Sequence, residues 1–351
     1  MKVLILGVNG FIGAHIAERI LLGTSWEVYG MDLDSNKVVE LVSNRNFHFR
    51  DGDISINKDW VEYHVKKCDV ILPLVAIATP KLYVKNPLRI FELDFEENLK
   101  IVRHCVNYKK RVIFPSTSEV YGMCSDPEFD EESSHLVTGP IGMQRWIYSA
   151  SKQLMDRVIW GYGLRDGLRF TLIRPFNWVG PKLDSLNAAR DGSARLVTQF
   201  AWNLFNGEPL KLVDGGEQRR CFCDVEDAMD GLMAVIRNDG GKADGKIFNI
   251  GNPSNSFSVK EVAEIMLRIW EKHSLRNEMS VPLSKIVEES SIDFYGSGYQ
   301  DVAVRTPSIR RMQEAFGFQP KINMEKSLIK SIDYLAKEYI ALGKLKGFDD
   351  A

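Results

Sequence analysis

An α/β fold built on a doubly wound parallel sheet is predicted by three features of the sequence. Short β-branched apolar runs alternate with longer stretches of helical periodicity, the first run leads straight into a glycine-rich segment, and the rhythm loosens after about Asn177 without a linker. The runs are, in order, "KVLILG", "EVYGMD", "FHFRDGD", "DVILPLVA", "RVIFPSTS" and "FTLIRPFN". Strands that alternate with helices imply right-handed crossovers and a parallel sheet covered on both faces. In the second half "PLKLVDGG" and "GKIFNIGN" read as strands, and "DVEDAMDGLMAVIRN" and "SVKEVAEIMLRIWEKH" as amphipathic helices. "GPKLDSLNAARDG" and "GSGYQDVAVRTPS" read as polar loops. The expected organisation is a first domain over 1–176 and a smaller mixed α/β lobe over 177–342, interleaved with the last sheet strands. The tail "GKLKGFDDA" is expected to fray.

The bulk properties narrow the function. A chain of 351 residues can bury a large core, and 44% hydrophobic with 26% charged residues is ordinary for a globular protein. A net charge of -2 offers no strong field to nucleic acid or an anionic membrane, so neither is expected as a partner; local arginines could still serve an anionic small molecule. The five cysteines, at 68, 105, 124, 221 and 223, fit no metal-ligand spacing and read as reduced, cytoplasmic packing residues, with no metal expected. The apolar start is broken by glycines and followed by charge at Glu18, unlike a secretory signal, and no stretch reads as a bilayer span.

The glycine-rich segment is "GVNGFIG", with Gly7, Gly10 and Gly13 closing the first strand and opening the first helix. Such glycines allow a tight turn and a close backbone approach, so that a pyrophosphate can rest on the free amides of a helix N-terminus. The strand, loop and helix come in the order that a Rossmann-type site needs. Asp32 ends the second strand where a carboxylate can accept ribose hydroxyls and repel a 2'-phosphate, which favours NAD over NADP. Asp34 reads as a solvated loop charge, while Asp53 and Ile54 in "GDI" suit an adenine edge.

A second motif, "WIYSASK", sets Tyr148 and Lys152 four positions apart, on one face of a helix. A nearby ammonium favours the phenolate, so the tyrosine could take a proton from an alcohol as its hydride leaves for nicotinamide. Thr117, at the end of the run "RVIFPSTS", would complete a three-residue oxidation site. Beside it stand Ser118 and Glu119, and a carboxylate in such a place is costly to bury without a partner or a task.

Together "GVNGFIG", the strand-end hydroxyl and "YSASK" resemble the extended short-chain dehydrogenases/reductases. The strings "LPLVAIATP", "FELDFEENL", "FPSTSEVYGMCSD", "RWIYSASKQL", "RPFNWVGPKLD" and "GYQDV" resemble more closely the UDP-glucuronic acid decarboxylases that occur as one domain of bifunctional polymyxin-resistance proteins. The likeness runs along essentially the whole chain. Those proteins carry a formyltransferase domain ahead of this one, whereas this chain begins at the dinucleotide-binding strand, so a stand-alone decarboxylase is expected. The resemblance implies oxidation at C4 of UDP-glucuronic acid by Tyr148 and Lys152, with Thr117 or Ser118 binding the C4 oxygen. The resulting β-keto acid would lose its C6 carboxylate with help from Glu119, and Arg305 would return a proton to C5 or hold the enolate.

It further implies that Ala78, Tyr83, Arg145 and Asn177 meet the sugar, and that the segment from Lys211 to Arg220 surrounds the uridine and pyrophosphate, with Tyr299 nearby. Arg220 and Arg195 suit phosphate oxygens on chemical grounds, Lys182 less so. Related 4,6-dehydratases carry an aspartate where Ser118 stands, which argues against dehydration. The expected product is UDP-4-keto-pentose with NADH; re-reduction to UDP-xylose and 4-epimerisation are the alternatives. A homodimer is implied by the resemblance alone. His15 and the "EYHVKK" stretch read as ordinary helix-face and solvated residues, and Trp146 and Trp178 as either pocket walls or packing.

Overall fold

The computed structural model describes residues 1–279 and 281–343. Its centre is a seven-stranded parallel sheet. The strands are β1 (Lys2–Leu6), β2 (Glu27–Asp32), β3 (Phe47–Asp51), β4 (Val70–Pro73), β5 (Arg111–Pro115), β6 (Phe170–Pro175) and a late addition, Lys246–Ile250. In space they run Lys246–Ile250, β6, β5, β4, β1, β2, β3. The order reverses direction between β4 and β1, which opens a crevice beyond the strand ends where a ligand of such a sheet binds. All of β4 and β5 is buried. Helices pack both faces, giving two large apolar clusters, one on each side of the sheet.

Three central strands end in proline at that same edge: Pro73, Pro115 and Pro175. Proline cannot donate to the ladder, so each strand stops there and its chain turns outward into the crevice. Those exits carry Ala76–Thr79, Ser116–Glu119 and Asn177.

The second half folds over the exits. Arg219–Cys221 is flanked by Ser256–Ser258 and Val304–Arg305, and the parallel pairing with the latter sets Arg305 opposite Arg220. Leu210–Val213 pairs with Ile286–Glu289. The helix Val259–Glu271 starts at a reciprocal cap in which Ser258 Oγ accepts from Glu261 N and Glu261 Oε2 accepts from Ser258 N.

Some local expectations are corrected. "GPKLDSLNAARDG" is not all loop, because Ser185 caps a helical turn, Leu186–Arg190, and "GSGYQDVAVRTPS" contributes the strand Val304–Arg305. His64 is not a solvated residue: it is buried, stacked on Trp60 at 3.8 Å between ring centroids. Asp34 is exposed but accepts a hydrogen bond from the Asn9 side chain. The tail from Lys344 onward lies outside the described residues. All five cysteines are buried and unpaired by disulfides. Among the described residues no helix is long and apolar enough to cross a membrane.

Candidate active site

The crevice widens into one cavity of about 1080 Å³ that runs from the glycine loop to Arg305. At one end, Gly7 adopts φ 88°, a conformation that suits glycine, and helix α1 (Phe11–Gly23) begins at Gly10 with no side-chain cap. Its first amides are therefore open to an anion. A Cβ on Gly13 would lie 2.2 Å from Gly7 O and 2.8 Å from the Val8 Cα, so helix and strand approach too closely for any side chain. Asp32 accepts from Asn9 N at 2.7 Å and Leu33 N at 2.8 Å, which anchors the loop to the end of β2. This cradle fits a dinucleotide pyrophosphate. Gly13→Ala should abolish saturable NAD binding and lower Tm by several degrees, measured by fluorescence titration and thermal unfolding. A variant that binds NAD normally would refute the cradle. Asp53 and Ile54 lie outside the cavity lining; the Asp53 carboxylate instead accepts from the amide and hydroxyl of Ser55, both at 2.7 Å, which hold its pKa below the usual range.

In the middle of the cavity the exit from β5 meets the helix Trp146–Asp166. Thr117 Oγ1 accepts from Glu119 N at 3.2 Å, which bends the chain into a short turn, Ser118–Tyr121. Ser149 Oγ donates to Glu119 O at 2.6 Å and Gln153 Nε2 to Val120 O at 2.8 Å, so the turn is fastened along the helix. This docking brings Tyr148 within hydrogen-bonding reach of Thr117. Lys152, fully buried one turn on, donates to Pro115 O at 3.1 Å and lies 3.4 Å from Asp94 Oδ1. Tyr83 stacks on Tyr148, with centroids 4.6 Å apart and planes within 8°. Burial, and then the Asp94 and Glu119 carboxylates, push the Tyr148 phenol well above its ordinary pKa.

Glu119 forms the centre of a charge cluster. Arg145 Nη2 donates to Glu119 Oε2 at 2.5 Å, and Arg305 Nη1 donates to Oε1. Burial alone would raise the Glu119 pKa, but the two guanidiniums hold it down to about 2. The group is therefore a carboxylate at any physiological pH. Since its folded pKa lies below the ordinary 4.5, the pairing contributes stability that is whole above that pH and is lost as pH falls toward 2. Linkage puts the contribution at about 3 kcal/mol. Urea unfolding between those limits should show a steep acid limb that Glu119→Gln lacks; parallel curves would refute the assignment.

Beyond the cluster, Arg145 Nη1 donates to Gln300 O at 2.8 Å, and its guanidinium lies 5.2 Å from the Tyr299 ring centroid. Arg220 reaches Asp301 at 2.6 Å and Val302 O at 2.7 Å. Ala78, Ser118 and Asn177 line the same space, Asn177 at a strained φ of 40°. Arg195 lies at the other end, paired with Asp184 at 2.8 Å and placed 5.6 Å over the Phe11 ring at the start of α1. Lys211 lines the cavity's edge with its ammonium 3.1 Å from Glu289, and Lys182 pairs with Glu18 outside the lining. Trp178 lines the cavity; Trp146 does not, its Nε1 donating to Gln300 Oε1 at 3.0 Å. His15 is buried on α1 against Pro181 O at 2.9 Å, and burial lowers its pKa.

Sequence reading missed two buried groups. Asp94 could have been flagged as a carboxylate that shares a helix face with Ile90 and Ile101. The pair of Arg174 and Asp156 joins Ser116 (2.8 Å from Asp156) to Tyr121 (2.9 Å from Arg174) beneath the turn; no local pattern signals it, because its members come from separate elements.

A glycine cradle at a helix start and a Tyr-Lys pair opening into the same cavity define a dinucleotide-dependent α/β enzyme. The chain belongs to the NAD dependent epimerase/dehydratase family, whose model matches residues 3–251, and its cofactor is NAD. The PbgP3 protein from Burkholderia pseudomallei is 52% identical over 96% of this chain and 98% of that one, with a TM-score of 0.87. A UDP-glucuronic acid 4-epimerase from Bacillus cereus, solved with UDP-glucuronic acid and NAD, is 20% identical (97% and 100% covered, TM-score 0.79). A dTDP-glucose 4,6-dehydratase from Bacillus anthracis, solved with NAD, is likewise 20% identical (99% and 100% covered, TM-score 0.78). At that identity the likeness to the last two concerns the fold.

Proposed function

We propose that the chain catalyses NAD-dependent oxidative decarboxylation of UDP-glucuronic acid to a UDP-4-keto-pentose. The observation that carries this reading is Glu119, an ionised carboxylate beside Thr117 and Tyr148 and shared by Arg145 and Arg305. A site that only passed a hydride out and back at C4 would not need it. The close sequence likeness to UDP-glucuronic acid decarboxylases supports the same reading.

NAD, when bound, supplies the oxidised ring that takes the hydride from C4. Tyr148 accepts the C4 hydroxyl proton, with Lys152 behind it and Thr117 or Ser118 holding the oxygen. The C4 ketone then serves as the electron acceptor as the C5–C6 bond breaks and carbon dioxide leaves. With its pKa near 2, Glu119 acts in this step as a fixed negative charge that disfavours a neighbouring carboxylate, not as an acid. Arg305 holds the enolate and serves C5 reprotonation directly or through a relay. Among the described residues three arginines, 145, 220 and 305, form ion pairs with two carboxylates, Glu119 and Asp301, and the surplus suits an acidic sugar nucleotide. Ala78, Tyr83, Asn177, Lys211, Arg195 and Tyr299 complete the substrate space in this reading.

The test is incubation with UDP-glucuronate and NAD, following NADH absorbance and trapped carbon dioxide, with the sugar nucleotide identified by NMR. Carbon dioxide with NADH and a 4-keto-pentose is expected. Carbon dioxide without net NADH would assign UDP-xylose formation instead, and inversion at C4 with the carboxylate retained would overturn decarboxylation in favour of a 4-epimerase.

A further inference from the structure

Asp94 lies in a π-helical turn, Glu92–Glu97, that interrupts the run into the helix Asn98–Asn107. Such single wide turns insert a residue and are frequent where function demands a local change of facing. Ile90, Asp94, Asn98 and Ile101 are all at most 2% exposed, so two polar side chains occupy the middle of a buried face that leucine or isoleucine would fill at lower cost. Asn98 has a local task, donating to Val75 O and Leu93 O at 3.0 Å each.

The Asp94 carboxylate has a different pair of partners. One oxygen accepts from Ile77 N at 3.1 Å, in the loop that carries Ala78 into the cavity; among the described residues the other meets only the Lys152 ammonium, at 3.4 Å. A buried carboxylate kept with so few partners is expensive for stability alone.

We propose that Asp94 is a positioning residue for the Tyr148–Lys152 pair, a buried counter-charge that fixes the Lys152 ammonium and the 76–79 loop together and sets the electrostatic balance of the oxidation site. Other charged or titratable groups act on this point: Glu119 and Tyr83 on Tyr148, Arg195 on Tyr148 from farther along the cavity, and Asp156 on Lys152. Asp94 is the nearest carboxylate to the ammonium, so neutralising it leaves a net positive charge in the wall. That charge opposes the cationic oxidised nicotinamide more than the neutral reduced one, and it eases ionisation of the tyrosine. The inference rests on the proposed role of Tyr148 and Lys152, but not on the identity of the sugar.

The experiment compares Asp94→Asn and Asp94→Glu with the wild type, using fluorescence titration with NAD and with NADH, then the pH profile of turnover on UDP-glucuronate. Asp94→Asn should weaken NAD about tenfold relative to NADH and move the acidic limb of the profile to lower pH. Asp94→Glu should keep the cofactor preference and lose turnover, because the longer side chain cannot hold Lys152 and Ile77 at once. A folded Asp94→Asn protein with wild-type cofactor preference and a superimposable profile overturns the proposal. Should that variant not fold, Asp94→Glu decides: lowered turnover with retained preference supports the proposal, and wild-type turnover sinks it. The cofactor titrations read out even if UDP-glucuronate proves not to be the substrate, which separates failure here from failure of the proposed function.

Discussion

Glu119→Gln should reduce carbon dioxide release from UDP-glucuronate by at least about 100-fold while NAD binds within a few-fold of normal. Glutamine preserves the shape and one acceptor, but it removes the charge that Arg145 and Arg305 share. Two guanidiniums would then face each other in a buried space, and breaking such an arrangement costs about 3–5 kcal/mol of stability. Stability and chemistry must therefore be measured separately, by urea unfolding and by carbon dioxide trapping at a temperature where the variant is folded. Persistent NADH formation with no carbon dioxide would separate oxidation from decarboxylation and assign Glu119 to the second step. Undiminished carbon dioxide release from the folded variant would return the residue to a purely structural part.

Tyr148→Phe should lower turnover by about 10²–10⁴-fold with little loss of stability, because the ring keeps its stack on Tyr83 and only the hydroxyl is removed. NAD affinity should hold, since the pyrophosphate cradle around Gly7, Gly10 and Gly13 does not include the Tyr148 hydroxyl. Neither NADH nor carbon dioxide should accumulate, unlike the partial reaction open to Glu119→Gln. A Tyr148→Phe enzyme that still reduced NAD at the wild-type rate would disprove the assignment of the base.

The parallel sheet was legible because its information is local: each β-branched run is a strand, and the helices between them force the crossovers. Tyr148 and Lys152 were legible for the same reason, since four-residue spacing on a helix fixes their common face. The charge cluster was only half visible. Glu119 stood out as an anomaly beside a strand end, yet both arginines that share it come from elsewhere, one 26 and the other 186 positions later. No short-range pattern encodes that meeting; the sequence likeness set Arg145 and Arg305 at the sugar, and only the fold brings both onto Glu119. Arg195 shows the opposite limit: chemistry marked it as an anion binder, but only the fold places it beside α1 and Asp184, far along the cavity from Arg220. The π-helical turn was invisible, because its sequence is compatible with an ordinary helix.

The late strand Lys246–Ile250 has a consequence for biosynthesis. Until it is made, β6 stands as an unprotected border of the nascent sheet, its backbone amides and carbonyls unmet along Thr171–Pro175. Roughly 70 residues must be translated in between, which at ordinary elongation rates takes about 4–14 seconds. Ribosome-bound chains halted in that interval should recruit holdase chaperones, and chains halted after Gly251 has cleared the exit tunnel should release them.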